Sequence, residues 1–150
     1  LMIIRELIEF VPQHRGTALS EPFRYLTNVI RKRCTAFVLS DFIEPDDDKE
    51  KFEEALKIAS GKHDIVGIRV YDRRDAELPD VGIVEVQDAE TGRKVWIDTS
   101  LDSLRRRYRD RWERMSGETA SVLNRSRVDH VSVVTDEDYV KALIKLFGRR

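Results

Sequence analysis

The sequence predicts an α/β fold built on a short parallel sheet, with a β-hairpin inserted into the order of elements. Three observations carry that expectation. Amphipathic helical patterns alternate with apolar runs of strand length, the runs at 34–39 and 65–70 suit strands covered on both faces, and two further short segments flank Asp88-Ala89-Glu90-Thr91-Gly92, a hairpin signature.

The elements follow in order. Ile3, Ile4, Leu7 and Ile8 recur at helical spacing over residues 2–11 until Pro12 ends the pattern. Ser20 reads as an N-cap, Pro22 suits a first turn, and Phe23, Leu26, Val29 and Ile30 mark a helix over about 21–32. Cys34 to Leu39 is a strand stopping at Ser40-Asp41. The acidic linker Glu44 to Asp48 leads into a helix with Phe52, Ala55, Leu56 and Ala59 on its buried stripe, closed by Gly61. Ile65 to Val70 is the next strand, and residues 73–82 read as a polar loop. After the hairpin of 83–87 and 94–98, Leu101, Leu104, Tyr108, Trp112, Met115, Thr119 and Val122 mark a helix over about 101–124. A strand at Val131 to Val134, the capping sequence Thr135-Asp136-Glu137-Asp138, and a helix bearing Val140, Leu143, Ile144 and Phe147 complete the chain.

The expected sheet has parallel strands at about 34–40, 64–71 and 129–135, in that spatial order. Such a sheet is thin. The first strand, central in character, becomes an edge with nothing before it to pair with, so the pattern implies partner strands that these residues do not supply. An uncovered edge of this kind also predicts self-association of the chain, most simply as a two-fold dimer.

The length of 150 residues allows one domain, and 41% hydrophobic with 37% charged residues excludes disorder. Lys plus Arg at 27 against Asp plus Glu at 28 removes the broad basic footprint of a nucleic-acid binder. Cys34 is the single cysteine, and His14, His63 and His130 are scattered, so no zinc cluster is suggested and a reducing cytoplasm fits best. Apolar stretches of about six residues fall far short of the ~20 that a membrane helix requires, and no signal-peptide pattern opens the chain, so a soluble protein is expected.

Open parallel sheets bind ligands beyond the carboxyl ends of their strands, which here finish in Ser40-Asp41, Tyr71-Asp72 and Thr135-Asp136. Ser40, Asp72 and Asp136 are therefore expected on one binding rim with Asp41. Capping accounts for Asp136, and a turn-opening role accounts for Asp72. Asp41 precedes Phe42-Ile43, not a helix start, and is the best functional candidate. Thr17 precedes a helix as Asp41 follows a strand, so the pair offers a hydroxyl and a carboxylate to a hard cation such as Mg²⁺. By spacing alone, a loop-shaping Thr17 and a strand-capping Asp41 explain the same residues.

The stretch His14-Arg15-Gly16-Thr17-Ala18-Leu19-Ser20, the strand ending Phe37-Val38-Leu39-Ser40-Asp41-Phe42, and Lys62-His63-Asp64 resemble the C-terminal half of a von Willebrand factor A-like domain. With Glu77 to Gly82, Asp88 to Gly92, Asp98-Thr99 and Thr135 to Val140, nearly the whole chain resembles a bacterial family, domain of unknown function family 58, commonly associated with MoxR-type AAA+ ATPases. The resemblance implies a three-layer, Rossmann-like parallel sheet present in part over residues 1–150. It also implies a divalent-cation site in which Thr17 and Asp41 are ligands. The Asp-x-Ser-x-Ser loop of such sites is absent here, so the metal site is incomplete and Mg²⁺ binding belongs to the longer parent protein.

Other residues read as structural: Cys34 as packing with no nearby His or acid, Trp112 and Tyr108 as a core stripe, and His63 as a satisfied histidine. Arg105, Arg106, Arg107, Arg109 and Arg111 give a solvated basic face. The expected function is a non-enzymatic interaction module whose parent binds a divalent cation and partners a MoxR-type ATPase, without nucleic acid or membrane contact. The alternative is an Mg²⁺-dependent phosphoryl-transfer or hydrolytic enzyme using Asp41. Against it stand the absence of a glycine-rich phosphate loop, of a serine elbow and of a paired Asp-x-Asp.

Overall fold

A computed structural model describes residues 2–11, 17–43, 48–87 and 92–148. His14, Arg15 and Gly16, the acidic linker from Glu44 to Asp47, and the hairpin turn from Asp88 to Thr91 lie outside the described residues. In chain order the elements are α1 (Met2–Glu9), α2 (Ser20–Val29), β1 (Thr35–Ser40), α3 (Lys49–Lys62), β2 (Asp64–Tyr71), α4 (Arg73–Ala76), β3 (Ile83–Gln87), β4 (Lys94–Asp98), α5 (Asp102–Arg125), β5 (Asp129–Val134) and α6 (Tyr139–Phe147).

β1, β2 and β5 form a parallel sheet in that order, and β3 and β4 form a separate antiparallel hairpin, as the sequence predicts. The register sets Thr35 beside Asp64 and Val66 beside Asp129. Because side chains alternate along a strand, Ala36, Val38, Ile65, Gly67 and Arg69 share one face, while Phe37, Leu39 and Val66 share the other.

The first face meets the helices that close the core. Phe23 from α2, Phe52, Ala55, Leu56 and Ala59 from α3, and Leu123 from α5 cluster with Phe42, Ile65 and Val128. Gly67 fits closely here, since a Cβ would come within 3.3 Å of His130 Cβ and 3.4 Å of the Phe42 ring. The second face carries α6, which packs on β5 and sets Phe147 edge-on to Phe37 at 6.1 Å.

Five expectations change. The apolar run of β1 predicts two covered faces, yet its burial alternates and Leu39 is 67% exposed. Such a run records the hydrophobicity of both faces but not which neighbours are present. Residues 73–76 form α4 within the expected loop, a single turn too short to leave a periodic signal. Ser20 is the first helical residue and Leu19 holds the N-cap position, while α3 continues through Gly61 to Lys62. The cap of α6 is Asp138, whose carboxylate accepts from Val140 N–H at 3.0 Å. Asp136 is therefore not the capping residue; it faces Arg73.

Candidate functional site

The carboxyl ends of the three strands bring Ser40-Asp41, Tyr71-Asp72 and Thr135-Asp136 to one end of the sheet, because all three run in parallel. The half of this rim at β2 and β5 is tied together locally. Asp72 caps α4 by accepting from Arg74 N–H at 2.8 Å, and Asp75 in return accepts from Asp72 N–H at 2.8 Å. Thr135 Oγ1 donates to the other Asp72 oxygen at 3.2 Å, joining the ends of β2 and β5. The Arg74 backbone N–H first of all, opposed by desolvation and helped by Thr135 and the charges of Arg74 and Arg73, holds the Asp72 carboxyl below the usual range. Arg73 meets Asp136 at 3.3 Å and Glu137 at 3.1 Å. A shallow cavity of about 420 Å³ beside this network is lined mainly by the same charged residues, with Leu78 and Pro79.

The half at β1 is built differently. Asp41 is exposed, and its Oδ1 accepts from Ile43 N–H at 3.1 Å and from Ser40 Oγ at 3.4 Å. Ser40 Oγ in turn accepts from Phe42 N–H at 3.0 Å. These bonds form a tight turn in which Phe42 takes φ 56°, a left-handed conformation, and drops its ring into the core at 4% exposure. The burial of Phe42 is what aims the Asp41 carboxylate outward. No hydrogen bond engages Asp41 Oδ2 among the described residues. Thr17 is half-buried in the segment before α2.

Arg69 completes this half, and its role escaped the sequence reading. It is 6% exposed and donates through Nε to the Asp41 carbonyl at 3.1 Å. Its guanidinium lies 4.5 Å from the Trp112 ring centre and 5.6 Å from that of Tyr71. The Tyr71 and Trp112 rings are themselves 5.0 Å apart. Burial draws the Arg69 pKa down while Tyr71 and Asp41 oppose the shift, and the side chain remains a cation. The signal available in sequence was a lone arginine inside the apolar run Ile68-Arg69-Val70, since arginine is almost never buried without a partner. Trp112, expected on a core stripe, is half-buried and outside the core cluster; its ring packs against Tyr71 and lies over this cation.

At the opposite end of the sheet, His63 and Cys34 are brought together by the β1–β2 register. His63 Nδ1 lies 3.4 Å from Cys34 Sγ and accepts from Cys34 N–H at 3.4 Å, so Cys34 does have a histidine neighbour. His63 is 1% exposed and its Nε2 finds no hydrogen-bond partner among the described residues, so it is only half satisfied there. The basic face of α5 is largely paired: Arg105 meets Asp80 and Asp102, Arg106 meets Asp102, and Arg109 meets Glu77.

Among the described residues, no group of three or more His, Cys, Asp or Glu side chains is arranged to hold a metal ion. Nor is any described helix long and apolar enough to cross a membrane.

Residues 1–118 match the family described as "Protein of unknown function DUF58". Uncharacterized protein Rv1480 of Mycobacterium tuberculosis (strain ATCC 25618 / H37Rv) and uncharacterized protein Mb1516 of Mycobacterium bovis are each 31% identical over 126 residues, covering 80% of this chain and 36% of theirs. Uncharacterized protein MAV169 of Mycobacterium avium is 41% identical over 73 residues, which are 47% of this chain and 41% of that one. The chain thus spans well under half the length of these relatives. No solved structure matches it significantly. On the extent of the family match, the chain belongs to the DUF58 family.

Proposed function

We propose that the chain is part of a non-enzymatic protein-interaction domain of the von Willebrand factor A class. In this reading the end of β1 helps to hold a divalent cation, and that cation recruits an acidic side chain of a partner, a MoxR-type AAA+ ATPase. The observation that carries the reading is the Asp41 carboxylate, placed at the carboxyl end of a parallel strand with one oxygen fixed by local donors and the other uncommitted. A carboxylate oriented in this way suits a hard cation such as Mg²⁺, and Thr17 offers a second, neutral oxygen.

These two oxygens fit a minor share of the octahedral shell that Mg²⁺ requires, and in this reading the remaining ligands come from the rest of the parent protein. When bound, the cation supplies an open coordination position for a carboxylate. Ser40 and the Ile43 N–H hold Asp41 in place, and Phe42 anchors their turn in the core. By itself this chain is expected to bind Mg²⁺ weakly, with no saturable heat in the low micromolar range by titration calorimetry.

The test uses the immobilised full-length family protein and a purified MoxR-type ATPase. Retention should require Mg²⁺ and be lost in Asp41→Asn without loss of the fold by circular dichroism. Retention unchanged by chelation and by Asp41→Asn contradicts the reading. So does Mg²⁺-dependent hydrolysis of a phosphate monoester that disappears in Asp41→Asn, since that outcome identifies an enzyme.

A further inference from the structure

We propose that Arg69 is a receptor for a carboxylate of the partner protein, set beside Asp41 on the same rim; this rests on reading the rim as a protein-interaction surface. A buried cation pays for its lost hydration unless it is paired. Several surface arginines have acids: Arg73 has Asp136 and Glu137, Arg105 has Asp80 and Asp102, and Arg125 has Glu53. Arg69 is far more buried than its surface counterparts, yet no carboxylate comes within ion-pair distance of it among the described residues. Its one hydrogen bond runs from Nε to the Asp41 carbonyl.

The geometry shows what is left over. The enclosed side-chain atoms without a hydrogen-bond partner are His63 Nε2, Ser116 Oγ and Ser126 Oγ, and neither terminal nitrogen of Arg69 is among them. Nη1 and Nη2 are therefore not fully enclosed, although the residue as a whole is only 6% exposed. Trp112 and Tyr71 flank the guanidinium, and the Asp41 carbonyl holds its Nε. The two terminal nitrogens offer a pair of parallel donors, the shape that takes both oxygens of a carboxylate. Little conformational entropy remains to be lost when it does so.

The nearby Asp41 charge opposes any incoming anion and opposes a phosphate dianion more than a carboxylate. A cation held by Asp41 removes that opposition, so metal binding and carboxylate binding at Arg69 reinforce one another. The rim then recognises an acidic segment by two neighbouring contacts, one through the cation and one through the guanidinium.

The experiment follows the Nε–Hε resonance of Arg69 in ¹⁵N-labelled protein, in EDTA, during titration with sodium acetate against sodium chloride at constant ionic strength. Inorganic phosphate is titrated in a second arm. Acetate should move the Arg69 resonance saturably and more than the resonances of Arg73 or Arg105. Asp41→Asn should tighten the acetate response, and Arg69→Lys should weaken acetate affinity about tenfold, read from backbone amides of the turn, as expected for loss of one charge-assisted hydrogen bond. The native protein and Asp41→Asn decide the matter even if Arg69→Lys folds poorly. Because the titration is metal-free and Asp41→Asn lacks the cation ligand, a failed metal reading leaves this result intact. An Arg69 resonance indifferent to acetate in both proteins overturns the proposal, as does phosphate saturating at lower concentration than acetate.

Discussion

At the ends of β2 and β5, Asp72, Arg73, Thr135, Asp136 and Glu137 answer one another, whereas at the end of β1, Asp41 and Arg69 stand side by side without an ion pair between them. The closed half is exposed, and its charges are matched by local bonds that water could supply almost equally well. The open half is anchored through Phe42 in the core on one side and half-buried Trp112 on the other, yet presents an oxygen and two nitrogens without protein partners among the described residues. Structural stability and binding capacity are thus separated. The half that is easiest to disturb energetically is the one whose polar groups are left available.

The largest effect should come from removing the support of the open half. Trp112→Ala deletes the ring beneath Arg69 and against Tyr71, and should cost about 3 kcal/mol in urea unfolding. A loss no larger than that of a surface substitution would mean the guanidinium does not depend on its stack. Gly67→Ala pushes a methyl group toward His130 and Phe42 and should cost about 1 kcal/mol, with amide shifts spreading into the Asp41 turn. Unchanged shifts at Phe42 and Ile43 would show that the turn is not held from below.

In the closed half the expected effects are smaller. Asp138→Ala removes the α6 cap and should cost about 1 kcal/mol, measured by thermal unfolding, without altering amide shifts at Asp41. Arg73→Ala breaks two exposed ion pairs and should cost about 0.5 kcal/mol. Acidification probes the same half. Because the folded Asp72 pKa lies below its unfolded value, its contribution is present above the ordinary aspartate pKa of about 3.9 and disappears as pH falls through the lower folded value. Asp72→Asn should therefore make stability less dependent on pH in that acid window, and an identical acid profile would refute the assignment.

The parallel order β1-β2-β5 and the hairpin were legible because strand length, apolar runs and intervening helices constrain topology together. Asp41 could be singled out because Phe42-Ile43 offers no helix start, although the turn that orients it depends on the positive φ of Phe42. Arg69 was not legible as a site. Its meaning comes from Trp112, 43 positions away in sequence, and from a carbonyl on the neighbouring strand's exit. The Cys34–His63 contact was hidden for the same reason, since only the strand register brings the two together. Asp136 was misread because Thr135 with Asp138 imitates a capping pattern three positions too early; the helix begins at Tyr139 and takes Asp138 as its cap.

The central claim is that anion recognition belongs to the β1 half of the rim and not to the β2–β5 half. Amide chemical-shift mapping of the whole chain during titration with a short glutamate-rich peptide tests it most directly. The account predicts saturable shifts concentrated at Ser40, Asp41, Phe42, Ile43 and Arg69, with Arg73, Arg74 and Thr135 unmoved. Shifts centred on Arg73 and Arg74, with the β1 turn silent, would contradict it.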